Sequence, residues 1–323
     1  MRDFFHTGLQ IGRQDAQAAL GNMGPGNHWY VDYRNGSDGQ DARAGKSWAK
    51  AFKTLGAAVS AAASNNNDVI HIDGDSTVAE LAMISITKNR LHFVGHNGML
   101  GHYGQGAKIS MGVTTLATDI ALIQNTGVRN TFTGLKFISN NTKDESLYAF
   151  AEGGEFSRFF NCEFYKSTDL NETAAAELLH NGDSAQFYNC TFGSTANIIA
   201  DDKIRPNVLL SATLSGKKCR DSYFENCLFL SKAAGVEHVA VYGANATDVE
   251  RFLMLKDCSF INNPLSAATP AHAVGFGAAQ TQGAVFLKNC SSVDHTVMAQ
   301  AAVGIYVDGA VPTFATSGVS VAS

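Results

Sequence analysis

Phe159-Phe160-Asn161-Cys162-Glu163-Phe164 decides the fold, because the chain repeats it. The copies are Phe187-Tyr188-Asn189-Cys190-Thr191-Phe192, Phe224-Glu225-Asn226-Cys227-Leu228-Phe229, Leu255-Lys256-Asp257-Cys258-Ser259-Phe260 and Leu287-Lys288-Asn289-Cys290-Ser291-Ser292. An earlier copy, Phe132-Thr133-Gly134-Leu135-Lys136-Phe137, carries Leu in place of Cys. Successive cysteines stand 28, 37, 31 and 32 residues apart. Self-similarity at such a period means stacked supersecondary units.

Each copy reads as strand, corner, strand. Cys and Phe two apart point to one face of a strand. Asn, Asp and Gly tolerate left-handed backbone angles and suit the corner between two short strands. A further apolar run precedes each corner: Ala149-Phe150, Glu177-Leu178-Leu179, Val208-Leu209-Leu210, Val239-Ala240-Val241 and Ala273-Val274-Gly275-Phe276. Three short strands per repeat is the layout of an all-β, right-handed parallel β-helix of single-stranded coils, stacked at ~4.8 Å. The expected interior holds a cysteine ladder (Cys162, Cys190, Cys227, Cys258, Cys290) and a phenylalanine ladder (Phe164, Phe192, Phe229, Phe260). Weaker coils run back through Ile109-Ser110-Met111 and Leu91-His92-Phe93 to Val69-Ile70-His71-Ile72. About nine or ten coils give a rod roughly 45 Å long.

Composition agrees. The 323 residues carry 31 Gly, only 16% charged residues and a net charge of −5, which argues against a general nucleic-acid binder. No apolar run reaches the ~18–20 residues of a transmembrane helix, and Met1 to Gln14 shows no signal-peptide core, so neither membrane nor secretion is expected. The thiols are expected to be free and buried. They lack the paired spacing of a zinc site, and Cys219 falls off the pattern. No metal or other cofactor is expected.

Ahead of the repeats, residues 47–63 read as a helix, with Ser47 as N-cap and Trp48, Phe52, Leu55, Val59 and Ala62 on one face. The segment WYVDYRNGSDGQDARAGKSWAKAFKTLGAAVSAAASNNNDVIHIDG, from Trp29 to Gly74, resembles the opening of pectate-lyase-like β-helix proteins, phage tailspikes among them. The resemblance implies a helix that caps the first coil and covers its open strand edge. Gly39 to Ser47 differs from a phosphate-binding loop in glycine spacing, and Asp32, Asp38 and Asp41 lack the spacing of an EF-hand. They read as turn-forming residues.

The resemblance also implies catalytic motifs, and most are missing. Ala200-Asp201-Asp202-Lys203-Ile204-Arg205 has the residue types of a calcium-assisted lyase in the longest repeat, but no matching motif. Asp201, Asp202, Lys203 and Arg205 are therefore weak catalytic candidates, read first as a charged exposed loop. Glu177, His180 and Asp183 form a second weak group. His71 and His92, on neighbouring strands, are expected to stack on an outer face.

Four segments follow: an arm (1–28), the opening segment with its capping helix (29–67), the β-helix (68–310) and a tail (311–323). Phe4, Phe5, Leu9 and Ile11 in the arm are expected to anchor it on another chain. The expected role is a non-enzymatic virion structural protein, a capsid decoration or short spike and a homotrimer contacting capsid or tail proteins. The alternative is a polysaccharide lyase or hydrolase, or a carbohydrate-binding adhesin.

Overall fold

A computed structural model of the chain describes residues 26–39, 43–74, 79–96, 107–112, 120–140, 146–167, 174–196, 198–200, 202–211, 216–263, 268–301 and 304–308. Phe4, Phe5, Leu9, Ile11, Asp41, Asp201 and the tail beyond Asp308 lie outside these residues. Among them the strands form three sheets of ten, eight and eight strands, every pairing parallel and every neighbour one coil away. This is a parallel β-helix. We call the ten-stranded sheet A. Its strands are His28–Asp32, Val69–Asp73, His92–Gly95, Thr131–Thr133, Arg158–Phe160, Gln186–Tyr188, Ser222–Glu225, Phe252–Lys256, Ala284–Lys288 and Ile305–Asp308. Sheet B runs from Ala79–Glu80 to Ser291–Val293 and sheet C from Ile84–Ile86 to Val297–Ala299. The chain passes from C to A to B in each coil.

The repeat sets the register. Phe159, Phe187 and Phe224 are directly paired across sheet A, and Phe164, Phe192 and Phe229 across sheet B. Both columns are buried, with ring centroids 4.3–5.1 Å apart along each of these runs. Cys162, Cys190, Cys227 and Cys258 are buried between them, Cys290 is half-buried near the last coil, and all six cysteines are free thiols. The corner from A to B is left-handed in six successive coils: Gly134 φ 65°, Asn161 52°, Asn189 53°, Asn226 52°, Asp257 52° and Asn289 52°. Amide-to-oxygen bonds tie this ladder together, Asn226 Nδ2 to Asn189 Oδ1 (2.7 Å) and Asn289 Nδ2 to Asp257 Oδ1 (2.6 Å).

The front differs from the single helix expected. A short 3₁₀ turn, Trp48–Lys50, precedes a separate helix, Leu55–Ala61. Asp38 explains the break: its carboxylate accepts from Lys53 N, Thr54 N and Thr54 Oγ1, fixing the chain between the two. Thr54, not Ser47, is the side-chain N-cap, accepting from Ala57 N. Trp48 is 42% exposed and leaves the apolar face. The helix buries Leu55, Ala58 and Val59 against the first coils. No helix among the described residues is long and apolar enough to cross a membrane.

Candidate functional site: a charged groove beside sheet A

The corner from C to A builds the site. Glu155, Asp183 and Arg220 occupy equivalent positions on successive coils, joined by parallel bridges between Glu155 and Asp183 and between Asp183 and Arg220. Glu250 and Gln282 precede the next two sheet A strands. With Lys217 and Lys218 these side chains line an open groove of about 470 Å³ that runs along the rod axis.

Its charges are mixed. Lys217 Nζ lies 2.6 Å from Glu155 Oε1, and Lys218 Nζ donates to Gln282 Oε1 at 2.9 Å. Arg220 Nε stands 3.8 Å from Asp183 Oδ2, too far for a hydrogen bond, and no other group among the described residues accepts from it. The groove thus presents a partly exposed guanidinium beside carboxylate acceptors. Beside it, the outer face of sheet A carries Arg158, Gln186 and Tyr223, then Phe286 stacked on Tyr306 at 5.3 Å. A parallel column holds Phe160 stacked on Tyr188 at 5.1 Å, and Glu225 paired with Lys256.

A buried polar column lies behind the groove. Asn125, Glu152 and His180 are register partners on sheet C, all turned into the core. Glu152 Oε2 accepts from Asn125 Nδ2 (2.8 Å), and Oε1 from Gly154 N (2.8 Å) and Ser157 Oγ (3.0 Å). Burial outweighs these bonds and pushes the Glu152 carboxyl up to about 7. Gly154 must be glycine here, because a Cβ would stand 2.3 Å from Gly127 O and 2.8 Å from Glu152 Oε1. His180 Nε2 lies 2.9 Å from Ser222 Oγ, and burial pushes this imidazole down to about 3. Both residues are fully buried, so the pair is a core bond and no exposed nucleophile.

The sequence candidates scatter. Arg205 is buried, its Nη1 bound to both carboxylate oxygens of Glu177 at 2.8 and 2.6 Å and its Nη2 to Lys166 O. Asp202 forms only an exposed ion pair with Lys203 at 3.2 Å. These residues do not converge, because Arg205 turns inward at the base of the long loop while its neighbours stay outside. Glu177, His180 and Asp183 separate likewise: the first pairs with Arg205, the second faces the core, and only Asp183 reaches the groove. His71 and His92 occupy different columns, since His71 pairs in register with Val94 and His92 with Val69. His71 instead contacts His28 and His96, both at 2.8 Å, while His92 is buried. Among the described residues no three His, Cys, Asp or Glu side chains converge as a metal-ligand set.

Sequence reasoning misses the groove, although a signal is present. Seven residues before Cys162, Cys190 and Cys227 stand Glu155, Asp183 and Arg220, a charged column that the repeat alignment exposes once it extends past the corner.

No protein-family description and no curated protein matches this chain. Solved structures do. A pectin methylesterase from Aspergillus niger superposes with a TM-score of 0.58 at 14% identity, covering 88% of this chain and 85% of its own. A pectin methylesterase in complex with a hexasaccharide gives 0.50 at 16% identity over 86% and 80%. The fold is that of the pectin methylesterases. A pectate lyase aligns at 13% identity over 90% and 80%, with a TM-score of 0.43. These likenesses concern the coil architecture.

Proposed function

We propose that this protein binds an extended, charged polysaccharide along the groove beside sheet A. One observation carries the reading: five successive coils place a charged or amide side chain at the same corner. Four coil spacings of ~4.8 Å span about 19 Å, the reach of an oligosaccharide rather than of one small molecule. Carboxylates accept from sugar hydroxyls, and Lys and Arg donate to hydroxyl and carboxylate oxygens. The likeness to a fold solved with a hexasaccharide supports the same reading.

The geometry favours recognition over cleavage. Glycosidic hydrolysis needs one carboxyl to give a proton and another to attack or activate water. Here Glu155 is held by Lys217, and Asp183 takes a hydrogen bond from Ser184 Oγ at 2.8 Å. The virion role expected from the sequence draws on the repeat, the opening segment, the absent secretion signal, the missing catalytic motifs and the chain ends, of which 1–25 and the tail beyond Asp308 lie outside the described part. The groove supports the saccharide role instead.

Affinity electrophoresis through gels containing polygalacturonate, pectin or a neutral glucan tests the proposal. Wild-type protein is expected to be retarded by at least one acidic polymer. Arg220→Ala is expected to weaken binding about tenfold or more, as loss of a charged hydrogen-bond donor does. No retardation by any polymer, or unchanged binding by the variant, refutes it. Release of reducing or unsaturated ends by the pure protein would replace recognition with cleavage.

A further inference from the structure

We infer that Phe156 is the platform on which one sugar ring of the bound chain rests; the inference builds on the saccharide reading of the groove. Phe156 follows Glu155 directly and is 46% exposed. Its backbone is left-handed, with φ at +56°. The left-handed region brings Cβ against the backbone, and a bulky residue there is an outlier.

The fold dictates the angle but not the side chain. The same corner is left-handed at Arg90 (φ 56°), Arg129 (60°), Ser184 (55°) and Asp221 (50°). At the opposite corner that requirement is met by Gly, Asn and Asp, the residues that bear it most easily. An exposed phenyl group gains little from burial, so stability does not account for its presence. Strain kept in the absence of a stability gain points to use.

The ring is also well placed. Phe156 N donates to Asp183 O at 2.8 Å, which fixes its backbone to the next coil of the groove. The Arg129 guanidinium sits 5.7 Å from the ring centroid, holding the ring by a cation–π contact. A ring held in this way, on the residue that follows the groove-lining Glu155, matches a pyranose at the edge of the groove that packs its C–H face on the phenyl group. The ligand class is therefore a chain of pyranoses with one unsubstituted C–H face.

The test compares wild type, Phe156→Asn and Phe156→Tyr in the full chain, by affinity electrophoresis in polygalacturonate and pectin and by thermal unfolding. Asn removes the ring and eases the backbone. It is expected to raise the melting temperature by about 1–2 °C and to weaken binding about tenfold. Tyr is expected to keep binding within about threefold of wild type. An Asn variant that binds like wild type overturns the inference and leaves the groove reading standing. An Asn variant that melts lower than wild type overturns the strain argument. A wild-type protein that neither polymer retards overturns the saccharide reading for these polymers and the inference with it.

Discussion

Glu152 makes the stability of this protein depend on pH in a direction opposite to that of an ordinary carboxylate. The perturbation is Glu152→Gln, which replaces the carboxyl by a neutral group of the same shape. The folded protein holds the Glu152 carboxyl at about 7, against an ordinary value of 4.5. Burial is the largest cause, and it outweighs the bonds from Asn125, Ser157 and Gly154 and the pull of Lys217. A carboxyl raised on folding stabilises the fold fully below about 4.5, and that contribution is lost as pH rises through about 7. At ~1.4 kcal/mol per pH unit, the whole change is about 3 kcal/mol. Urea unfolding of both proteins between pH 4 and pH 8 measures it. Wild type is expected to lose about 3 kcal/mol relative to Glu152→Gln over that range. The amide nitrogen introduced at position 152 faces the Asn125 amide, donor against donor, which shifts the variant by a constant amount and leaves the slope alone. Buried histidines such as His180 titrate in the opposite sense, but both proteins share them and their effect cancels. Parallel pH profiles would refute the reasoning and show that the three donors keep the carboxylate ionised.

Two further predictions concern the core. Phe187 is stacked between Phe159 at 4.5 Å and Phe224 at 4.3 Å and is fully buried, so Phe187→Ala is expected to cost about 3–5 kcal/mol in urea unfolding; a loss under about 1 kcal/mol would show that the stack closes over the gap. Arg205→Ala removes the guanidinium paired with the buried Glu177 carboxylate and is expected to cost about 3–5 kcal/mol, part of it recovered by combining Arg205→Met with Glu177→Leu. A double variant no more stable than the single one would contradict this.

The fold is legible because its decisive contacts repeat. The central coils place a small group and a ring in the same two interior positions, so Cys162 and Phe164 recur as Cys190 and Phe192 with the Asn corner before them. Binary pattern and turn chemistry then agree, which makes a sequence readable. The opening segment is less legible, because what ends its first turn is Asp38, a side chain reaching Lys53 and Thr54 from fifteen or sixteen residues upstream. The loop candidates fail for a related reason. Residue type does not reveal that Arg205 turns inward to Glu177, 28 residues away, while Asp202 stays outside.

The two left-handed corners show where structure ends and use begins. Both demand the same backbone angle in coil after coil. The corner from A to B meets the demand uniformly, with Gly134, Asn161, Asn189, Asn226, Asp257 and Asn289. That uniformity follows from a single requirement, a tight turn at low cost, and it makes the repeat visible. The corner from C to A meets the same demand with Arg90, Arg129, Phe156, Ser184 and Asp221, a mixed set in which the bulky members are costlier to hold there. Under the saccharide proposal, that variation reflects a second constraint, one that differs from coil to coil. A polymer lying along the axis supplies such a constraint, because each coil meets a different part of it. The irregular corner borders the groove, and the regular one does not. The pattern at the A-to-B corner marks the scaffold's contact with itself; under the saccharide proposal, the mixed residues at the C-to-A corner mark the face turned toward the polymer.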